Sequence, residues 1–208
     1  MMNNIPHFLE QATNGGGRNK ESKIRFFHAS SESPKVMIYM DNKYKTNLLY
    51  MTSSEYFSLP PGKHQLEVLY SEGKTIKKLN ESLSFQPEQI YTYVLFNFAN
   101  KLEICSFLND ANIPVGESKI RFLHLKQDAP IVDIAVKNRD TVFERLSFMK
   151  VTEYLGITPM TIDLEIRESG TKKVIYSIPK AQFNANEVYT IAIAGNVNEK
   201  MEIVYLKD

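Results

Sequence analysis

The sequence predicts an all-β protein that consists of two tandem immunoglobulin-like, antiparallel β-sandwiches of about seven strands each. Three observations predict this fold: a long segment of the first half returns in the second half, apolar residues alternate with period two, and turn signals separate short apolar segments. With 208 residues, of which 43% are hydrophobic and 24% charged, the chain can form an apolar core in each copy.

The duplication is visible in the heptapeptide SKIRFFH, which begins at Ser22 and returns as SKIRFLH from Ser118. Aligning residues 22–42 with 118–138 gives ten identities, and matches continue in the same order almost to the end of each copy. Such a pattern indicates duplication of a whole domain. We therefore predict a flexible N-terminal tail at 1–21, a first sandwich at 22–110, a linker at 111–117 and a second sandwich at 118–208.

The first predicted strand of each copy places a histidine on its inward face. Because successive side chains of a strand point to opposite faces, KIRFFH directs Ile24, Phe26 and His28 inward and Arg25 and Phe27 outward. In the following strand, VMIYM, the valine, the isoleucine and the last methionine point inward by the same rule.

Further strands follow between the turn sequences LPPGK, SEGK, QPEQ and FANK and their counterparts. The predicted strands are Gln65–Tyr70, Lys74–Ser84, Ile90–Asn97 and Leu102–Leu108 in the first copy, and Met160–Arg167, Lys172–Ile178, Val188–Ala194 and Met201–Leu206 in the second. Tyr91 and Tyr189 each begin a late strand just after a turn, which is the position of a tyrosine corner. We interpret both as structural residues whose hydroxyls bond to nearby backbone.

Charge and composition exclude several classes of function. The chain carries 25 basic and 24 acidic residues, and the balance holds in each copy, so we expect no nucleic-acid partner. Cys105 is the single cysteine and the histidines number four, so we expect no disulfide, no metal site and no cofactor. We predict no transmembrane segment. The N-terminus lacks the pattern of a secretory signal, which suggests a cytoplasmic location.

His28 and His124 are predicted to hydrogen-bond the backbone of the turn that follows each strand, which would satisfy a buried polar group. A metal or ligand role is the alternative for both. If the first two strands of each copy form a hairpin, Arg121 lies opposite Asp133 in an exposed ion pair and Arg25 lies opposite a methionine. A binding role for the arginines is the other possibility.

The stretches SKIRFFHASSESPKVMIYMDN and EYFSLPPGKHQLEV resemble the bacterial domain of unknown function 4397 family, which opens on His-Ala-Ser-Pro-x-Ala-Pro and continues Val-Asp-Val-Tyr-Val-Asp-Gly. The first copy matches this pattern at His28 and Pro34, and the second at His124, Pro130 and Asp133. The resemblance implies a β-sandwich module, often in tandem and often on exported or cell-envelope proteins, with no established enzymatic activity.

No nucleophile elbow, zinc-binding His-Glu-x-x-His or calcium loop occurs, so we predict no catalytic residue. The leading hypothesis is a non-enzymatic module that binds another protein or a surface polymer as part of a cell-envelope or other supramolecular structure. The alternative is a small-ligand or carbohydrate-binding protein, and an enzyme with a site between the domains is a third possibility. The candidate ligand contacts are Tyr39, Tyr44, Tyr50, Tyr70 and His64.

Overall fold

The computed structural model describes residues 20–73, 75–99, 101–110, 112–113, 115–195 and 197–208, and this part of the chain contains sixteen strands and no helix. Most of the predicted tail 1–21 and part of the linker 111–117 lie outside the described residues. The strands of the first half are β1 (Ser22–His28), β2 (Lys35–Met40), β3 (Lys43–Leu49), β4 (Phe57–Leu59), β5 (Gly62–Glu72), β6 (Thr75–Phe85), β7 (Ile90–Phe98) and β8 (Lys101–Asn109). Those of the second half are β9 (Ser118–His124), β10 (Val132–Val136), β11 (Thr141–Leu146), β12 (Leu155–Ile157), β13 (Met160–Glu168), β14 (Val174–Phe183), β15 (Glu187–Ala194) and β16 (Glu202–Lys207).

Each half forms one sandwich of two four-stranded sheets. Sandwich 1 contains an inner sheet in the order β4-β1-β7-β8 and an outer sheet in the order β3-β2-β5-β6. Sandwich 2 repeats this arrangement, with inner sheet β12-β9-β15-β16 and outer sheet β11-β10-β13-β14. The prediction of two tandem all-β sandwiches is confirmed, with eight strands in each. Pairing is antiparallel apart from β1 with β7 and β9 with β15, which run parallel.

The first two strands of each copy do not form a hairpin, so the ion pair that such a hairpin would give does not occur. β1 pairs with β4 and β7, whereas β2 pairs with β3 and β5 in the other sheet. Arg121 therefore does not lie opposite Asp133, whose register partner across β13 is Arg167. The sequence prediction also omitted β3 and β4 and their counterparts β11 and β12, because β3 is largely polar and β4 and β12 are only three residues long.

Apolar side chains pack in three layers between the four sheets. One cluster fills sandwich 1 and a second fills sandwich 2, and both include the inward residues of the first strand, such as Ile24 and Ile120. A third cluster, the junction cluster, joins the two inner sheets face to face. Its buried members are Phe27, Val94, Phe96, Leu123, Leu125, Ala192, Ala194 and Leu206. The outward-facing Arg25 and Phe27 of β1 are therefore buried at the junction with the other sandwich and do not face solvent.

Candidate functional site

His28 and His124 are fully buried at the ends of β1 and β9. The Nε2 atom of His28 lies 2.6 Å from Ser33 O, and that of His124 lies 3.2 Å from Pro130 O. Because a carbonyl oxygen can only accept, each Nε2 donates, and Nδ1 is left to accept from a backbone N–H two residues further on. Burial lowers the pKa of both histidines, while the bond to the carbonyl opposes this shift. Each ring is thus a neutral bridge across the following turn.

Arg25 and Arg121 lie at the junction of the two sandwiches, with side chains only 3% and 4% exposed. Arg121 is therefore not in an exposed ion pair with Asp133, which corrects the sequence expectation, and Arg25 is buried in the same way. Each Nε donates to a threonine of the neighbouring strand at 2.9 Å, Thr92 for Arg25 and Thr190 for Arg121. Burial lowers the pKa of Arg121.

The remaining guanidinium nitrogens reach into the opposite sandwich in a nearly symmetric way. Arg25 donates to Lys207 O and to the carboxylate of Asp208. Arg121 donates to Leu108 O at 2.6 Å and to Asn109 Oδ1 at 2.8 Å. These two acceptor sites are equivalent, since each lies at the C-terminal end of the last strand of its sandwich, where Leu108 pairs with Tyr91 and Lys207 with Tyr189. One half of the cluster therefore contains a carboxylate and the other a neutral amide.

An aromatic ring covers each arginine. The guanidinium carbon of Arg25 lies 5.0 Å from the ring centre of Tyr56, and that of Arg121 lies 4.3 Å from the ring centre of Tyr154. Both contacts fall within the range of cation–π attraction. Burial raises the pKa of both phenols, so the two rings remain neutral at physiological pH.

Sequence reasoning did not predict that the two arginines and their polar partners are buried between the sandwiches. One feature of the sequence nevertheless indicated that the inner sheets are covered. The inner strands contain unbroken apolar runs, VLF in β7 and IAIA in β15, where alternation would place polar residues on a solvent face. Continuous apolar runs are typical of strands that are buried on both faces. The sequence therefore contained evidence that the inner sheets are covered.

Asp133 connects strand β11 to the turn that follows β13. Its Oδ1 accepts from Arg145 N at 2.8 Å, and its Oδ2 accepts from Gly170 N at 3.0 Å. Burial acts to raise the pKa of this carboxyl, but the two backbone hydrogen bonds prevail and lower it. Arg145 has a positive φ of 55°, so the carboxylate stabilises an otherwise unfavourable backbone conformation.

Replacing Asp133 with alanine is expected to lower the free energy of unfolding by about 2 kcal/mol, because two backbone N–H groups lose a charged acceptor. Urea unfolding at neutral pH would measure the change. Asp140→Ala in the neighbouring exposed turn is the control, and we expect it to change stability by less than about 0.5 kcal/mol. Equal effects of the two substitutions would contradict the assigned role of Asp133.

Tyr91 and Tyr189 each reach back to the turn before their strand. The hydroxyl of Tyr91 accepts from Gln86 N at 3.1 Å, and that of Tyr189 accepts from Asn184 N at 3.2 Å. Both rings also pack in the sandwich cores. This is the geometry of a tyrosine corner.

The structure does not bring the candidate ligand contacts into one site. Tyr39 and Tyr44 contact each other, with ring centres 5.6 Å apart, next to the turn after β2. Tyr70 pairs with Val36 near the start of β2 and packs on the core of sandwich 1. Tyr50 directly follows the last residue of β3.

His64 also has structural partners. Its Nδ1 lies 2.6 Å from Asp41 Oδ2 and its Nε2 lies 2.8 Å from Pro60 O. The ring packs 5.3 Å from that of Phe85, measured between centres. His64 therefore connects the turn after β2 to the segment before β5.

A groove of about 950 Å³ runs between the two sandwiches beside the arginine cluster. Its lining includes Lys119 and Asp110, which form an ion pair at 2.7 Å, and Glu153, but His64 is not among its lining residues.

Within the described part of the chain, no group of three or more His, Cys, Asp or Glu residues could hold a metal ion. Cys105 packs against the junction cluster, and burial raises the pKa of its thiol to about 12.

None of the described segments forms a helix with the length and apolarity needed to cross a membrane.

The chain was compared with family models, curated proteins and solved structures. A family model described as "Domain of unknown function (DUF4397)" matches residues 22–135 and again 128–208. Among solved structures, the chain is similar to one described as a putative adhesin from Bacteroides ovatus, with 8% identity, a TM-score of 0.26, and coverage of 90% of this chain and 95% of that one. No curated protein matches the chain.

Proposed function

The chain belongs to the DUF4397 family of domains of unknown function, and from this premise we propose that it is a non-enzymatic module that binds an extended segment of another protein. The observation that supports this proposal is the open edge of β6 in the outer sheet of sandwich 1. An exposed strand edge offers unpaired N–H and C=O groups to which an incoming strand can bond.

β6 is long and regular. It pairs with β5 over eleven residues, from Gly62 opposite Phe85 to Glu72 opposite Thr75, without a register shift. It is the last strand of its sheet. It contains no proline, and most of its side chains are exposed. A regular edge of this length can pair with a segment of several residues.

The direction of the backbone groups of β6 follows from its neighbour. Gln65 uses both of its main-chain groups toward the turn after β2, where Asp41 N donates to Gln65 O and Gln65 N donates to Asp41 Oδ1. Ser82, the register partner of Gln65, must therefore direct its N–H and C=O away from β5. By alternation, Lys78, Asn80 and Ser84 also present their backbone groups to the open edge.

The equivalent edge of sandwich 2 is interrupted. β14 contains Pro179, and its pairing with β13 shifts register between Ile162 and Leu164. Lys180 has a positive φ of 50°, and its N–H donates to Asp163 Oδ1 at 2.8 Å. Prolines and bulges protect edges from pairing. The two sandwiches thus differ in this respect, and we assign the binding edge to sandwich 1.

The test is selection of linear peptides from a random library on the folded chain, followed by affinity measurements with Ser82→Pro. Proline removes one edge-directed N–H without removing a bond to β5, so we expect at least a tenfold loss of peptide affinity with little change in Tm. Ser82→Thr is the matched control, because it keeps the N–H and the hydroxyl, and it should bind as the native chain does. Peptides that bind Ser82→Pro with full affinity, or failure to select any, would reject the proposal.

A further inference from the structure

Sandwich 2 contains an apolar cavity of about 240 Å³ between its inner and outer sheets. Every side chain that lines the cavity is apolar, and the lining includes the fully buried Phe122 and Ile134. A cavity with such walls excludes water and favours hydrocarbon.

The cavity is open to solvent between two sheet edges. Val142 on β11 and Leu155 on β12 belong to the edge strands of the outer and inner sheets, and both line the cavity. Together with Met160 they are 37–39% exposed, so the entrance is itself apolar. An apolar ligand could therefore enter without displacing a charged side chain.

The corresponding region of sandwich 1 holds larger side chains at two positions. Phe57 stands where sandwich 2 has Leu155, since these residues pair with the equivalent Ile24 and Ile120. Its ring lies 6.4 Å from that of Phe26, between centres. Met40, which is 1% exposed, stands where sandwich 2 has Val136. At these two positions, sandwich 1 thus has larger side chains than those that line the cavity of sandwich 2.

A shallow polar depression adjoins the cavity and shares Val136 and Ile162 with it. It contains Lys137, Lys180 and Asp163, and Lys137 Nζ forms an ion pair with Asp163 Oδ2 at 3.4 Å. Two ammonium groups against one carboxylate leave a net positive charge beside the apolar cavity. This combination suits a ligand with a hydrocarbon chain and an anionic head group.

We propose that sandwich 2 binds a single-chain alkyl carboxylate, with the chain in the apolar cavity and the carboxylate at Lys137 and Lys180. An apolar protein cavity of about 150 Å³ holds benzene, which corresponds to about 25 Å³ for each carbon atom. At the same volume per carbon, a cavity of about 240 Å³ holds an alkyl chain of about nine or ten carbons. Each methylene that leaves water contributes about fourfold in affinity. This site is separate from the β6 edge, and its test does not depend on that proposal.

The test is isothermal titration of the full chain with sodium decanoate, and we expect one site. Val136→Met and Leu155→Phe each install the residue of sandwich 1, and each should weaken decanoate binding at least tenfold by filling the cavity. Val174→Met is the matched control, because Val174 is exposed on β14 and lies outside the cavity lining. Thermal unfolding should show that the filled variants keep or raise their Tm, which separates ligand exclusion from misfolding.

Two further measurements test the head group. Decanol should bind more weakly than decanoate, and Lys137→Gln should remove most of that difference. Absence of decanoate binding, unchanged affinity in both filled variants, or equal affinity for decanol and decanoate would each overturn the proposal.

Discussion

Replacing Asp208 with asparagine is expected to lower the free energy of unfolding by about 3–5 kcal/mol, the cost of removing one partner from a buried ion pair. The Asp208 side chain is 1% exposed and accepts from Arg25, from Thr190 Oγ1 at 2.8 Å and from Tyr154. Among the described side chains that contact the two buried guanidiniums, it is the one carboxylate. Without it, two positive charges would remain in the junction and be balanced only by dipoles.

Urea unfolding at neutral pH would measure this loss, and Asp110→Asn provides the control. Asp110 lies beside the same junction and pairs with Lys119, but its side chain is 45% exposed, so its loss should cost less than about 1 kcal/mol. A double-mutant cycle of Asp208→Asn with Arg25→Met should give a coupling energy above about 1 kcal/mol. Equal losses for the Asp110 and Asp208 variants would contradict the buried-pair interpretation.

The asymmetry of the junction permits a reciprocal experiment. Asn109 is the counterpart of Asp208, and it accepts from Arg121 and contacts Thr92 and Tyr56. Asn109→Asp would give the second arginine its own carboxylate, with Tyr56 able to donate as Tyr154 does. We expect this substitution to recover part of the stability lost in Asp208→Asn. A further loss would show that desolvation of the new carboxylate outweighs its attraction to Arg121.

The sequence predicted the two sandwiches well because the patterns that indicate them, strand alternation and the repeat, can be read from short segments of the chain. Alternation in β2 placed Val36, Ile38 and Met40 on the buried face, and the structure confirms this placement. The repeat made the second sandwich predictable from the first. Both kinds of evidence depend on residues that are close in the chain or aligned between copies.

The junction was harder to predict because its contacts connect opposite ends of the chain. Arg25 and Asp208 are separated by almost the whole sequence, and it is the strand register of the structure that makes the neutral Asn109 the counterpart of Asp208. Strand alternation directed Arg25 and Phe27 away from the core of sandwich 1 correctly. Strand alternation alone does not determine whether that outward face contacts water or another sheet.

The two proposed sites also depend on differences between the copies. The β6 edge is open and β14 is interrupted, because Pro179 and the bulge occur in the second copy alone. The cavity occurs where Leu155 and Val136 replace larger residues of the first copy. The two sandwiches therefore share one fold but differ in the feature they expose, which is the open β6 edge in sandwich 1 and the entrance of the apolar cavity in sandwich 2.

The stability of the chain is expected to fall as the pH decreases below about 6.5, because His28 and His124 are held neutral in the folded state. Burial lowers the folded pKa of both, whereas the unfolded chain titrates near 6.5. The unfolded state then binds more protons in this window, so stability is complete above it and is lost on acidification. The slope can reach about 1.4 kcal/mol per pH unit for each histidine.

Urea unfolding of the native chain between pH 7.5 and 5 would measure this slope, and the variants His28→Gln and His124→Gln assign it. Glutamine can donate to the turn carbonyl but does not titrate, so each variant should remove about half of the slope and the double variant nearly all of it. Carboxylates with lowered pKa values, such as Asp133, lose their contribution only below about pH 4, outside this window. Each replacement should also lower the free energy of unfolding by about 2–3 kcal/mol at pH 7.5, because the imidazole is fully buried.

A stability that does not change with pH in the native chain, or an unchanged slope in the double variant, would show that the two histidines do not act as neutral bridges. Retained binding of the β6-selected peptides by folded His124→Gln would support a structural role, whereas lost binding with unchanged stability would assign the histidine to the binding site.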